Sequence, residues 1–289
     1  MSVIETPLPP HPLSPVIRRI RGVDLVTWFA VVVLGLLALI AIFGPMLAPQ
    51  DPNATNLSAA FQGPSSEHLL GTDASGRDLL SRLLAGGRSA LLAPLVVALA
   101  ATALGTTVAV VAAWFGGFTD RALARCFDIV FGFPGLLLAI LAVAVFGLGL
   151  LAPVLALTIV YVPYVGRIVR SGALREVSLP YIEAAKVQGF SGRYICLRHL
   201  LPNVRKLVIA QAVLCFSYAV VDVAAINFLG LGVQPPQADW GAMVASGEAS
   251  LIRGNPEESL YAGLLIVLAV LSVSLLGDRL LRNADAVVL

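Results

Sequence analysis

Residues 25–47 read LVTWFAVVVLGLLALIAIFGPML, 23 consecutive positions without a charged side chain. At 1.5 Å of rise per residue a helix of this length crosses the roughly 30 Å hydrocarbon layer of a bilayer, where the backbone must satisfy its own hydrogen bonds. Five further runs are long and apolar enough to do the same, over 89–113, 126–146, 151–168, 207–226 and 260–276, with only a Gly-Leu-Gly-Leu turn between the third and fourth. The chain is 58% hydrophobic and 12% charged, about half the charge of a soluble domain, and the spans leave no continuous stretch for a sizeable aqueous domain. The expected fold is all-α: a polytopic membrane protein with six transmembrane helices.

Cytoplasmic loops retain lysine and arginine, so the distribution of basic residues sets the orientation. With the N-terminus inside, 15 fall on the inner side and only Arg77, Arg82, Arg88 and Arg253 on the outer, accounting for all 19. Both termini are expected in the cytoplasm, as tails 1–23 and 283–289. Residues 1–16 are Pro-rich and read as disordered; the first span is too long for the apolar core of a signal peptide. Trp28 and Trp114 sit at span ends, where an interfacial aromatic belt would place them.

The net charge of +2 gives no basis for a nucleic-acid partner. Cys126, Cys196 and Cys215 form no CxxC pair and imply neither a disulfide framework nor a zinc site. Neither Lys186 nor Lys206 follows a glycine, so there is no P-loop, and any ATP must be held by another chain.

Within the spans, Ala101, Gly105, Ala109 and Ala113 recur every four residues, a surface on which another helix backbone can approach closely. Pro94, Pro134, Pro153 and Pro163 are candidate kinks. Asp222 is the one acid well inside a span, and an intramembrane carboxylate is costly enough to make it a candidate pathway residue. Asp128, nearer the inner boundary, is expected to pair with Arg125 or Arg121.

The inner loop of about 170–206 reads as a short helical hairpin. Pro180 suits a first helical turn, Glu183 lies near the positive helix start, and Gly189 supplies a left-handed stop. Ser191 caps a second helix, which Pro202 ends before the next span. Such a hairpin is a docking shape, or a connector lying on membrane lipid. On the outer side, Asp73 and Ser75 can cap a helix along the surface, with Leu79, Leu80, Leu83 and Leu84 on one face and Asp78, Ser81 and Arg82 facing water.

Glu183-Ala184-Ala185 with Gly189 and Leu201-Pro202 resembles the EAA loop of permease subunits of binding-protein-dependent ABC importers. His68 to Asp73, Gly76-Arg77-Asp78, Phe228 to Pro236, Asp239-Trp240-Gly241 and Gly277-Asp278 resemble, in order, the C-type subunit of the dipeptide, oligopeptide and nickel importers. Asn227 stands where that family usually has serine, Gln188 where an apolar residue is common, and the terminal Asp-Pro is missing.

The resemblance implies a type I importer permease architecture: a first helix and extracytoplasmic segment over 24–88, and a core permease domain over 89–282. It further implies a non-catalytic subunit forming half of a pathway for short peptides or a similar small solute. Glu183, Ala184, Ala185 and Gly189 would be the coupling element. The implied partners are a second permease, two ATPase domains carrying ATP and Mg, and an extracytoplasmic solute-binding protein; this chain itself would bind no cofactor. Two other readings stand beside it: a stand-alone channel or secondary transporter, and an intramembrane hydrolase using Asp222.

Overall fold

The computed structural model describes residues 25–285. The expected N-terminal tail, with its Pro-rich stretch, and the last four residues lie outside the described residues. Among the described residues five helices are long and apolar enough to cross a membrane, and a bent pair, taken as one span, makes a sixth. The first is α1 (Leu25–Leu47), followed by α2 (Leu79–Phe115). The bent pair is α3 (Gly117–Phe131) and α4 (Gly135–Phe146), and α5 (Leu151–Val177) follows it. The hairpin is α6 (Pro180–Val187) and α7 (Gly192–Ile195), leading into α8 (Leu201–Phe228). Two short helices, α9 (Trp240–Ser246) and α10 (Glu248–Ile252), precede α11 (Glu257–Asp285). Among the described residues there is no strand, only one bridge between Thr72 and Asp78.

The third span, expected over 126–146 with Pro134 as a candidate kink, is broken at that proline into two helices. It bends by 79° at residues 132–134. Pro134 has no N–H to continue the ladder of α3 and instead begins α4 from an extended conformation, so the chain turns there. Pro94 and Pro163 lie inside α2 and α5, which stay continuous.

The small-residue face packs as its spacing requires. Ala101 and Ala109 are fully buried, and α2 makes its most extensive pairing with α5. A Cβ on Gly105 would lie 2.8 Å from the Val162 carbonyl oxygen and 3.0 Å from the Gly166 nitrogen, so the two backbones touch where only glycine fits. Two buried clusters form around α2. One joins α2, α4, α5 and α8 through residues such as Val97, Leu157, Val165 and Ile226. The other joins α1, α2, α8, α9 and α11 through Leu37, Leu79, Val220, Trp240 and Ala269. The opposite faces of the long helices expose Leu, Val, Ile and Phe, as lipid-facing surfaces do.

The connections collect at two ends. At one, segment 48–78, the turn at 147–150 and segment 229–256 meet: Arg82 donates to the carbonyls of Pro52 and Pro236, and the Gly149 N–H to that of Leu231. At the other lie the hairpin, the α2–α3 junction and a contact of Arg279 with Thr27, which puts the start of α1 and the last turns of α11 on the hairpin side.

The loop end corrects the surface-helix expectation. Asp78, not Asp73 or Ser75, caps α2, accepting from the Ser81 N–H at 2.8 Å, and α2 runs unbroken past residue 88. Asp78, Ser81 and Arg82 do not face water: they are 3%, 0% and 4% exposed. Segment 48–78 folds back over them, since Gln50 N–H reaches Ser81 and His68 lies 3.1 Å from Asp78. Asp73 instead ties its own turn, accepting from the N–H groups of Ser75 and Arg77 and pairing with the Arg77 side chain at 2.6 Å.

Candidate functional site

In the hairpin, Pro180 occupies the first turn of α6, and a complete left-handed stop ends the helix. Gly189 N–H bonds to Lys186 O and Phe190 N–H to Ala185 O, with Gly189 at φ 82° as its spacing required. Ser191 then caps α7, accepting from the Tyr194 N–H. Ile182 and Ile195 are fully buried and, with Ala185, form a small core that rests against Trp114 at the end of α2. Lys186 lies 5.0 Å from the Trp114 ring, whose edge also fills the space beside Gly192. Trp114 is therefore the seat of the hairpin as well as a residue at a span end. Trp28 keeps the expected exposure at a span end.

Pro202 does not end the second hairpin helix. Residues Cys196–Leu200 widen into a π-turn closed by Leu201 N–H to Cys196 O, and Pro202 begins α8 in the same continuous rod. The wide turn supplies a bonding pattern that tolerates the N–H missing at Pro202.

A second tie anchors α6 to α5. Tyr181 donates to Glu176, and Asn203 Nδ2 donates to both at 2.8 and 2.7 Å. Burial, followed by the Glu176 carboxylate, pushes the Tyr181 phenol pKa up to about 12, so it holds its proton and remains a donor. Asp120 pairs with Arg170 at 2.5 Å, and Asp128 with Arg167 at 2.8 Å rather than with Arg125 or Arg121. Antiparallel packing of α3 on α5 puts the α5 arginines opposite both acids, whereas Arg121 and Arg125 have only helical spacing in their favour.

The four expected coupling residues come together and divide by face: Glu183 and Ala184 are exposed, Ala185 is buried, and Gly189 is open to solvent. Around them Val187 and Leu197 are 89% and 68% exposed, and Phe190 stacks on Tyr194 at 4.9 Å beside them. An apolar tip so exposed on a connection marks an interaction surface, for a protein or for lipid.

Asp222 lies thirty residues along the same rod from Gly192, about 45 Å away. It accepts a 2.7 Å hydrogen bond from Tyr161 on α5 and lines a half-open cavity of about 480 Å³. Cys215 lines this cavity too, so a thiol stands nearer Asp222 than its sequence context suggested, but His68 and His199 lie at the two ends of the molecule and supply no base to it. The Tyr161 partnership was signalled only by a polar ring in the apolar run Val-Tyr-Val-Pro-Tyr; the role of Trp114 had no signal beyond its position.

A family profile described as "Binding-protein-dependent transport system inner membrane component" matches residues 101–288, and one described as "N-terminal TM domain of oligopeptide transport permease C" matches 26–64. The dipeptide transport system permease protein DppC of Alkalihalophilus pseudofirmus is 40% identical over 247 residues, covering 86% of this chain and 81% of that protein. The glutathione transport system permease protein GsiD of Pectobacterium atrosepticum is 37% identical over 251 residues, covering 86% and 83%. An inward-facing structure of the MetNI methionine ABC transporter shares the fold, with a TM-score of 0.57 at 21% identity over 70% of this chain and 96% of that chain. The helix order, the hairpin between α5 and α8 and these matches agree over most of the chain, which excludes a stand-alone channel or an intramembrane hydrolase as the better reading: the protein belongs to the inner-membrane permease family of binding-protein-dependent ABC importers.

Proposed function

We propose that this permease forms half of a pathway for short peptides, paired with a second, homologous permease. Both termini and the hairpin lie in the cytoplasm, where two ATPase subunits holding ATP and Mg dock; a solute-binding protein delivers cargo at the opposite end. Glu183, Ala184, Ala185 and Gly189 form the coupling element, and Asp222 lies on the path. The observation that carries this reading is the hairpin itself, exposed and apolar at its tip, seated on α2 and continuous with α8. The relatives' names, dipeptide, peptide and glutathione permeases, support the cargo class.

The test is ATP-dependent uptake of labelled dialanine and glutathione by proteoliposomes carrying the full complex. Wild type should accumulate at least one of them. Gly189→Val puts a β-branched residue at a left-handed position, at a cost of about 1 kcal/mol or more, with no neighbour in the way. It should keep the spans inserted yet lose most uptake per ATP hydrolysed, and Glu183→Lys should do likewise. Wild-type coupling in both variants would sink the hairpin's role, and no uptake of either solute by wild type would sink the cargo class.

A further inference from the structure

Gln211, Cys215, Tyr218 and Asp222 are spaced four, three and four residues apart on α8, which puts them on one helical face. That face lines the cavity opposite Tyr161 and Tyr164 of α5. Tyr218 and Tyr164 are 55% and 46% exposed, while Tyr161 and Gln211 are buried, so the cavity is walled on the side of its own bundle and open on the other. A stripe carrying a carboxylate, an amide and phenols is not a surface to turn toward lipid tails. It belongs on water or on a polar occupant.

The carboxylate has no counter-charge among the described residues. Among the described residues its hydrogen-bond partner is Tyr161, and none of the ion pairs includes it. Tyr161 meets it through its hydroxyl, and the Tyr164 ring stands beside that of Tyr161, with centroids 5.5 Å apart and tilted by 52°. A carboxylate in a cavity lined by three tyrosines suits a compact cation, which gains Coulomb attraction from the acid and can donate to the phenol oxygens. The cavity, at about 480 Å³, lies within the range of small-ligand sites.

We infer that Asp222, with Tyr161, Tyr164 and Tyr218, forms a transient site for the protonated primary amine of the cargo, entered after release from the binding protein. The inference rests on the peptide-importer reading above and names the chemical group that this half of the pathway recognises. Asp222 lies six residues from the end of α8 on the side where cargo arrives, about 9 Å along the helix, so an ammonium would meet it early in transit.

The test uses the complete complex in proteoliposomes, with dialanine-loaded binding protein at saturation. Asp222→Asn keeps an oxygen that can accept from Tyr161 and removes only the charge, so it isolates electrostatics from packing. Dialanine uptake should fall at least tenfold, with the permease pair still intact on size exclusion and ATP hydrolysis still stimulated by loaded binding protein. Asp222→Glu should stay within threefold of wild type. Uptake by Asp222→Asn at the wild-type rate overturns the inference. So does dissociation of the permease pair in that variant, which would assign Asp222 to a cation of the second permease instead. If wild type carries neither dialanine nor glutathione, the peptide reading falls and takes this inference with it; if it carries either one and Asp222→Asn carries that solute unimpaired, the inference alone is removed.

Discussion

Asp73 shows how much one buried acid holds at the loop end. It is 2% exposed, pairs with Arg77 at 2.6 Å and lies 3.5 Å from Arg82, which is itself 4% exposed. Removing one member of a buried ionic group strands the others, at about 3–5 kcal/mol. Asp73→Ala should therefore lower the melting temperature of the detergent-solubilised complex by several degrees, with Asp73→Asn between it and wild type; a melting curve unchanged in Asp73→Ala would show that water reaches the arginines. The sequence shows these residues as charged positions beside a span, and charge ordinarily means exposure. What reverses that expectation is segment 48–78 folding over them, a contact between residues about thirty positions apart that no local pattern encodes. Gly189 was legible for the opposite reason: its left-handed stop is set by the residues immediately around it. Asn227 is intermediate. It was legible as a departure from the family, but its task, accepting from the Val233 N–H at 2.9 Å to hold the loop after α8, needs the fold to be seen.

Among the helices, hydropathy located every crossing but not its shape. Apolar count measures how much chain lies in lipid and is blind to direction, so Pro134 marked a place where the third span could kink while the 79° size of the turn had no signal. Helix ends failed for a related reason: the first turns of α2 are polar yet buried under loops, which ends an apolar run without ending the helix. The π-turn at Cys196–Leu200 has no signature in composition either, and it sets the rotational phase of the hairpin on α8. Deleting Leu197, which is 68% exposed and so removes little packing, should only close the wide turn into an α-turn, whereas deleting Leu197 and the exposed Arg198 together should also turn α6 and α7 by about 100° around the α8 axis, and the double deletion tests that angle. The expected result is loss of ATPase co-purification with the permease pair still inserted and assembled. Retention of the ATPase at the wild-type ratio would mean that docking does not depend on that angle.

For the whole molecule, the placement of the two long connections and the turn at 147–150 at one end and the hairpin at the other fixes relative sidedness, and the basic residues choose which end is cytoplasmic. In a background with Cys126, Cys196 and Cys215 replaced, cysteines at the exposed positions Gln62 and Ala249 should react with an impermeant maleimide in intact cells. A cysteine at Val187 should react only after permeabilisation; position 192 would serve less well because Trp114 crowds it. Labelling of Val187→Cys from outside would invert the orientation. The grip on α2 bears on the transport cycle itself. Its 37 residues, about 55 Å long, protrude from the hydrocarbon layer at both ends. One end is wedged under the hairpin at Trp114; the other is clamped by Asp78 and Arg82 beneath the loops. A shaft seated in two bearings cannot lean without leaving one of them. A push on the hairpin would then travel along α2 to the loops at its far end, so that the two ends of the molecule answer to one rod.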